Sequence, residues 1–194
     1  TLYSCPSIER VNILAHSRGT DVTTTALREI HLEYKQSGRS LKDMKLNNLI
    51  LAAADIDVEV FAQRVIAEEV HLAPRRTTIY LGAGDRALSM SENMNLSAKR
   101  LGLMKPVDIK EHGRKLLKSW PSVHFIHIPQ SFNFIGHSYF IDDPAVSSDL
   151  ILLVRDDKDP GAANGRPLKK DESGMWILEA DYPQFETAED QLVK

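Results

Sequence analysis

The run VNILA ends in Ala15-His16-Ser17-Arg18-Gly19, which meets the pattern small-X-Ser-X-Gly just ahead of a helical stretch. That pattern marks a sharp strand-to-helix turn that holds a serine side chain up in the open. Small flanking residues suit a turn this tight, although Ala15 stands where the common pattern has Gly. A serine before a helix is also an ordinary N-cap, so the motif alone leaves Ser17 between cap and nucleophile. A serine hydroxyl needs a base, usually a histidine oriented by a carboxylate. Around such turns the chain order is serine, then acid, then histidine. Asp85, in TTIYLGAGDRAL, follows a later apolar run, and His137, in NFIGHSYF, follows a later one still. Asp55, at the end of LILAAADID with Asp57 beside it, is the alternative acid. The backbone N–H of Arg18 stands where half of an oxyanion hole is needed. Ser17, His137 and Asp85 thus suit the roles of nucleophile, base and orienting acid in acyl transfer to water. Such chemistry needs no metal and no organic cofactor.

The other histidines fit less well. His31 and His71 lie in helical stretches and read as surface or boundary residues, and His112 lies in a basic segment. His124 and His127 share a strand, where a spacing of three sends them to opposite faces, so they make a poor chelating pair. His16 adjoins Ser17 and is expected to point elsewhere.

The elements that must position these residues alternate. Strands are predicted over 11–15, 47–54, 77–82 and 123–128, and helices over 20–35, about 58–72 and 144–155. Val22, Ala26, Leu27 and Ile30 carry the spacing of the first helix, which Gly38 stops. The segment 86–118 holds one or two helices broken at Gly102 and Pro106. Strand–helix alternation implies an open parallel sheet with helices on both faces, an α/β architecture whose sites form at the carboxyl ends of the strands. Residues 1–155 read as one domain. Residues 156–194 are polar and rich in Asp and Glu, and read as a poorly packed tail in which only 175–178 and 182–185 look able to dock.

Bulk composition narrows the function classes. The chain has 194 residues, 42% hydrophobic and 26% charged, as in ordinary globular domains. A net charge of -3 gives no overall basic excess, so nucleic acid is not expected as a partner. The basic stretch 99–118 and the acidic tail read as two solvated faces. The single cysteine, Cys5, excludes an internal disulfide and a thiolate metal site. It is compatible with a cytoplasmic compartment, but the chain starts at Thr1 rather than Met, which leaves localisation open. No apolar run is long enough for a transmembrane helix. Leu88, Met90, Met94, Leu96, Leu101, Leu103 and Met104 read first as helix packing and second as an apolar wall for an acyl chain.

Four blocks in order, LAHSRGTDV, LAAADIDVEVF, IYLGAGDRAL and GHSYF, resemble a bacterial alpha/beta-hydrolase family of largely uncharacterised function, over about residues 8–155. The resemblance implies an esterase- or lipase-like hydrolase with Ser17 as nucleophile, Asp85 as acid and His137 as base, and it keeps Asp55 under consideration. The substrate, a small-molecule or lipid acyl compound, does not follow from the fold. A hydrolase-fold binding or scaffold domain without activity is the alternative. Such hydrolases place several strands, and the loop bearing the second oxyanion donor, before the nucleophile. Only residues 1–16 precede Ser17 here. The chain is therefore expected to correspond to the C-terminal part of a hydrolase, lacking half the oxyanion hole. Its first strand is expected to need cover from a partner chain, a second copy or a rearranged segment.

Overall fold

A computed structural model describes residues 5–82, 85, 88–90, 99–109, 111–129 and 137–184. Among the described residues six strands form one sheet, with four long strands in sequence order followed by two short ones, β6 (Trp176–Ile177) and then β5 (Lys169–Lys170) at the far edge. Strands β1 (Val11–His16), β2 (Leu46–Ala52), β3 (Arg76–Gly82) and β4 (Val123–Ile128) run parallel, as the alternation implies. Every residue of β2 and β3 is buried, because both faces are covered.

Alternation along the strands splits the core in two. Leu49, Leu51, Ile79, Leu81, Val123 and Phe125 pack under helix α1 (Gly19–Ser37) and the helical segment that follows β2. Ile50, Tyr80, Ile126 and Ile128 face the other way, toward helices α4 (Tyr139–Asp142) and α5 (Pro144–Val154). The segment after β2 begins as α2 (Val58–Phe61), widens to a π-helix over Ala62–Ala67 and closes with a 3-10 turn (Val70–Leu72), so it spans the expected 58–72 but is less regular than a single helix. Asp57 caps it by accepting from the N–H groups of Glu59 and Val60. Helix α3 (Glu111–Ser119) precedes β4.

The buried stripe of α1 is Thr20, Thr24, Leu27, His31 and Tyr34, while Val22 is 69% exposed. Threonine can line that stripe because Thr24 Oγ1 donates to the Thr20 carbonyl at 2.8 Å, which satisfies its hydroxyl. His31 and His71 are buried, not surface residues, and desolvation lowers the pKa of His31. Gly38 ends the helix in the left-handed region, at φ +67°.

Met175, Leu178 and Tyr182 are buried, in keeping with the docking expected there, but residues 157–170 pack more closely than a loose tail would. Strand β6 (Trp176–Ile177) extends the sheet parallel to β4, and β5 (Lys169–Lys170) pairs antiparallel to β6. Asp157 accepts from Asn47 at 2.9 Å and from Arg75 at 2.6 Å, at the amino ends of β2 and β3. Arg166 binds Asp149 through Nε at 2.8 Å and Nη2 at 2.6 Å, and neither side chain is exposed. The Tyr80 and Tyr182 hydroxyls also donate to Asp149, each at 2.6 Å. These polar side chains bond one another inside the second core, as buried polar groups must.

Strand β1 lies at the sheet edge, and among the described residues no strand pairs with its outer side. It is less buried than its neighbours, with Leu14 43% exposed.

Candidate active site

The turn after β1 has the conformation that its sequence suggests. Ser17 sits at φ +54°, a left-handed backbone that few non-glycine residues adopt. Four hydrogen bonds hold it there. Its N–H donates to the Ala52 carbonyl at 3.1 Å, and its own carbonyl accepts from Thr20 N, Thr20 Oγ1 and Asp55 N. Strained residues of this kind concentrate at functional sites. Ser17 is not the helix cap: that position falls to Arg18, whose side chain makes no capping hydrogen bond. The positive end of the 19-residue α1 dipole therefore lies beside Ser17.

Asp85 lies just beyond β3 with its side chain fully buried. One carboxylate oxygen accepts from Leu88 N at 3.1 Å, and the other accepts from His137 Nδ1 at 2.8 Å. An acceptor-only carboxylate fixes the His137 proton on Nδ1 and leaves the Nε2 lone pair available as a base. Asp55 is engaged differently. Its carboxylate lies 3.2 Å from Arg100 Nε and 3.8 Å from Arg18 Nη1. The structure thus brings His137 to Asp85, and Asp55 to two arginines. Ser17 and His137 make no hydrogen bond with each other.

Two residues near the site had been given no part from the sequence. His16 does not point elsewhere: its ring lies 4.6 Å from the His137 ring and 4.7 Å from that of Phe140. Its Nε2 donates to the His137 carbonyl at 2.9 Å. Tyr139, two residues after His137, accepts from Ala53 N at 2.7 Å and donates to the Tyr80 carbonyl at 3.1 Å. Its ring fills the space beside Gly82, where an added Cβ would come within 3.0 Å of it. Burial, more than any charge, raises the pKa of its hydroxyl, so it remains a neutral bridge. The only sequence signal for Tyr139 is its place in the GHSYF block.

Leu88, Leu101 and Leu103 are core residues, in keeping with the packing reading, whereas Met90 is 66% exposed and Met94 and Leu96 lie outside the described residues. Gly136 and the side chain of His112 also lie outside them. No group of three or more His, Cys, Asp or Glu that could hold a metal occurs among the described residues. His124 and His127 fall on opposite faces of β4. A cavity of about 570 Å³, lined in part by Arg76, Trp120, His124 and Trp176, opens at the amino ends of β3 and β4. That is the opposite edge of the sheet from Ser17, Asp85 and His137.

A family model described as an alpha/beta hydrolase of unknown function (DUF900) matches residues 1–155. The chain belongs to that family. Comparison with curated proteins and with solved structures gives no significant match. The parallel sheet, flanked by helices, agrees with the hydrolase fold. Within this alpha/beta hydrolase, the carboxyl ends of β1, β3 and β4 precede Ser17, Asp85 and His137 respectively, the edge where sites form in open parallel sheets.

Proposed function

We propose that this alpha/beta hydrolase is a serine hydrolase that cleaves an ester or related acyl substrate through an acyl-enzyme. The observation that carries the reading is the 2.8 Å bond from His137 Nδ1 to the buried Asp85 carboxylate. Ser17, held at positive φ at the amino end of α1, supports it independently. In this mechanism Ser17 Oγ attacks the carbonyl carbon while His137 Nε2 takes its proton. The oxyanion that develops accepts from the Arg18 N–H. Asp85 stabilises the cationic His137, which returns the proton to the leaving oxygen. Water then repeats the sequence on the acyl-enzyme. A lipid or small-molecule acyl group both fit this chemistry, and a panel of esters of graded chain length separates them.

The absence of a Ser17–His137 hydrogen bond favours one second reading, a hydrolase-fold binding domain without activity. A fluorophosphonate decides between them, because it reacts only with an activated serine. We expect covalent labelling of the folded protein and its loss in Ser17→Ala. A folded protein that stays unlabelled would establish the binding domain instead.

A further inference from the structure

His16 lies immediately before Ser17, and its side chain reaches a residue far along the chain. The His137 carbonyl can only accept, so the 2.9 Å contact fixes a proton on His16 Nε2. The same ring packs against the rings of both His137 and Phe140, at 4.6 and 4.7 Å. His16 therefore holds His137 by its backbone and by its ring at once. Its own frame is fixed by the sheet. His16 pairs with Ala52 in the β1–β2 register, and the Ser17 N–H donates to the carbonyl of that same Ala52. One residue of β2 thus anchors both the strand end that carries Ser17 and the side chain that grips His137.

Asp85 supplies the other hold on His137, at Nδ1. A single bond to one ring nitrogen leaves the imidazole free to swing about it, and the His16 contacts remove that freedom. We propose that His16 is a positioning residue that sets the place of His137 relative to Ser17. This rests on Ser17 and His137 being nucleophile and base. His16 touches neither the substrate nor the transferred proton in this scheme.

The test compares the whole protein with His16→Gln and His16→Phe. Glutamine keeps an N–H donor able to reach the His137 carbonyl, whereas phenylalanine keeps the ring contact and removes the donor. Two rates are read: fluorophosphonate reaction at Ser17 and hydrolysis of p-nitrophenyl acetate. Circular dichroism and urea denaturation check that each variant is folded. Displacing a catalytic group by about 1 Å costs on the order of a hundredfold. We expect His16→Phe to lose roughly ten- to a hundredfold in kcat and in labelling rate, with KM within about twofold of the parent. His16→Gln should recover most of that loss. Parent-like rates in a folded His16→Phe would overturn the proposal, as would an equal loss in both folded variants. An unlabelled parent protein would remove the hydrolase reading and this one together, whereas a labelled parent with parent-like His16→Phe would remove this one alone.

Discussion

At the scale of single residues, Ser17 shows how a site can be held at a cost. Its left-handed backbone costs an L-residue about 1–2 kcal/mol, while glycine adopts it freely. The four hydrogen bonds around it maintain the conformation against that preference. We therefore expect Ser17→Gly to raise stability in urea by about 1 kcal/mol while abolishing labelling, the pairing typical of strain kept for function. A stability loss in that variant would show that the turn stores no such strain. The serine motif itself is readable in the sequence because it spans consecutive residues. The partners of His137 are not, because Asp85 is 52 positions away and His16 is 121 positions away. Distances of that kind are set by how the strands are ordered. His16 was misjudged for this reason: nothing local says that the strand end faces the returning loop.

At the scale of elements, the loop after β2 is as closely packed as the strands it joins. Gly102 donates to the Ala54 carbonyl at 3.0 Å. An added Cβ at this position would lie 2.7 Å from the Ala54 nitrogen and 2.6 Å from Leu88 Cδ1. Backbone has to move to admit it, and the backbone in question runs through Ala53, which bonds Tyr139, and Asp55, which bonds Ser17. We expect Gly102→Ala to cost about 1–3 kcal/mol and to slow labelling of Ser17. Thermal melting and the labelling rate check the two parts, and an unchanged melting temperature would refute the close packing. In the sequence, Gly102 reads merely as a helix break, since a glycine kept for steric reasons looks like one kept for a turn. Strand positions were legible to within a residue or two because alternation and apolar runs are local. The stripe of α1 was displaced because threonine and histidine, polar in isolation, are buried there.

At the scale of the whole molecule, residues 157–182 close the second core through the buried Asp149–Arg166 pair. Removing one partner leaves an unpaired buried charge. We expect Asp149→Ala to lose about 3–5 kcal/mol of unfolding free energy in urea. Asp156→Ala, which breaks the exposed Arg155 pair, should lose no more than about 1 kcal/mol. A loss of no more than about 1 kcal/mol in Asp149→Ala as well would mean that the buried pair contributes little to the fold. The pH dependence of stability follows from the buried histidines. Desolvation, helped by the positive charge of Arg166, lowers the pKa of His124 to about 4, and burial also lowers those of His31 and His127. The unfolded chain takes up these protons near pH 6.5, but the folded chain takes up that of His124 only near pH 4. The unfolded state therefore binds more protons within that window, and stability falls as pH falls through it. Urea unfolding at pH 7 and pH 5 should show the loss, and His124→Gln should reduce it. A His124→Gln variant with the parent's pH dependence would exclude His124 as a source.

By itself, the sequence determined the alternation of strands and helices, the parallel sheet and the turn at Ser17. All of these rest on periodicity or on contiguous residues. Only the tertiary structure decided that His137 bonds Asp85 and not Asp55, that His16 bonds the His137 carbonyl, and that Arg166 pairs with Asp149 inside the core. The reason is the same in each case. A buried polar side chain is stabilised by the partner that folding brings to it, and that partner lies far away in the chain.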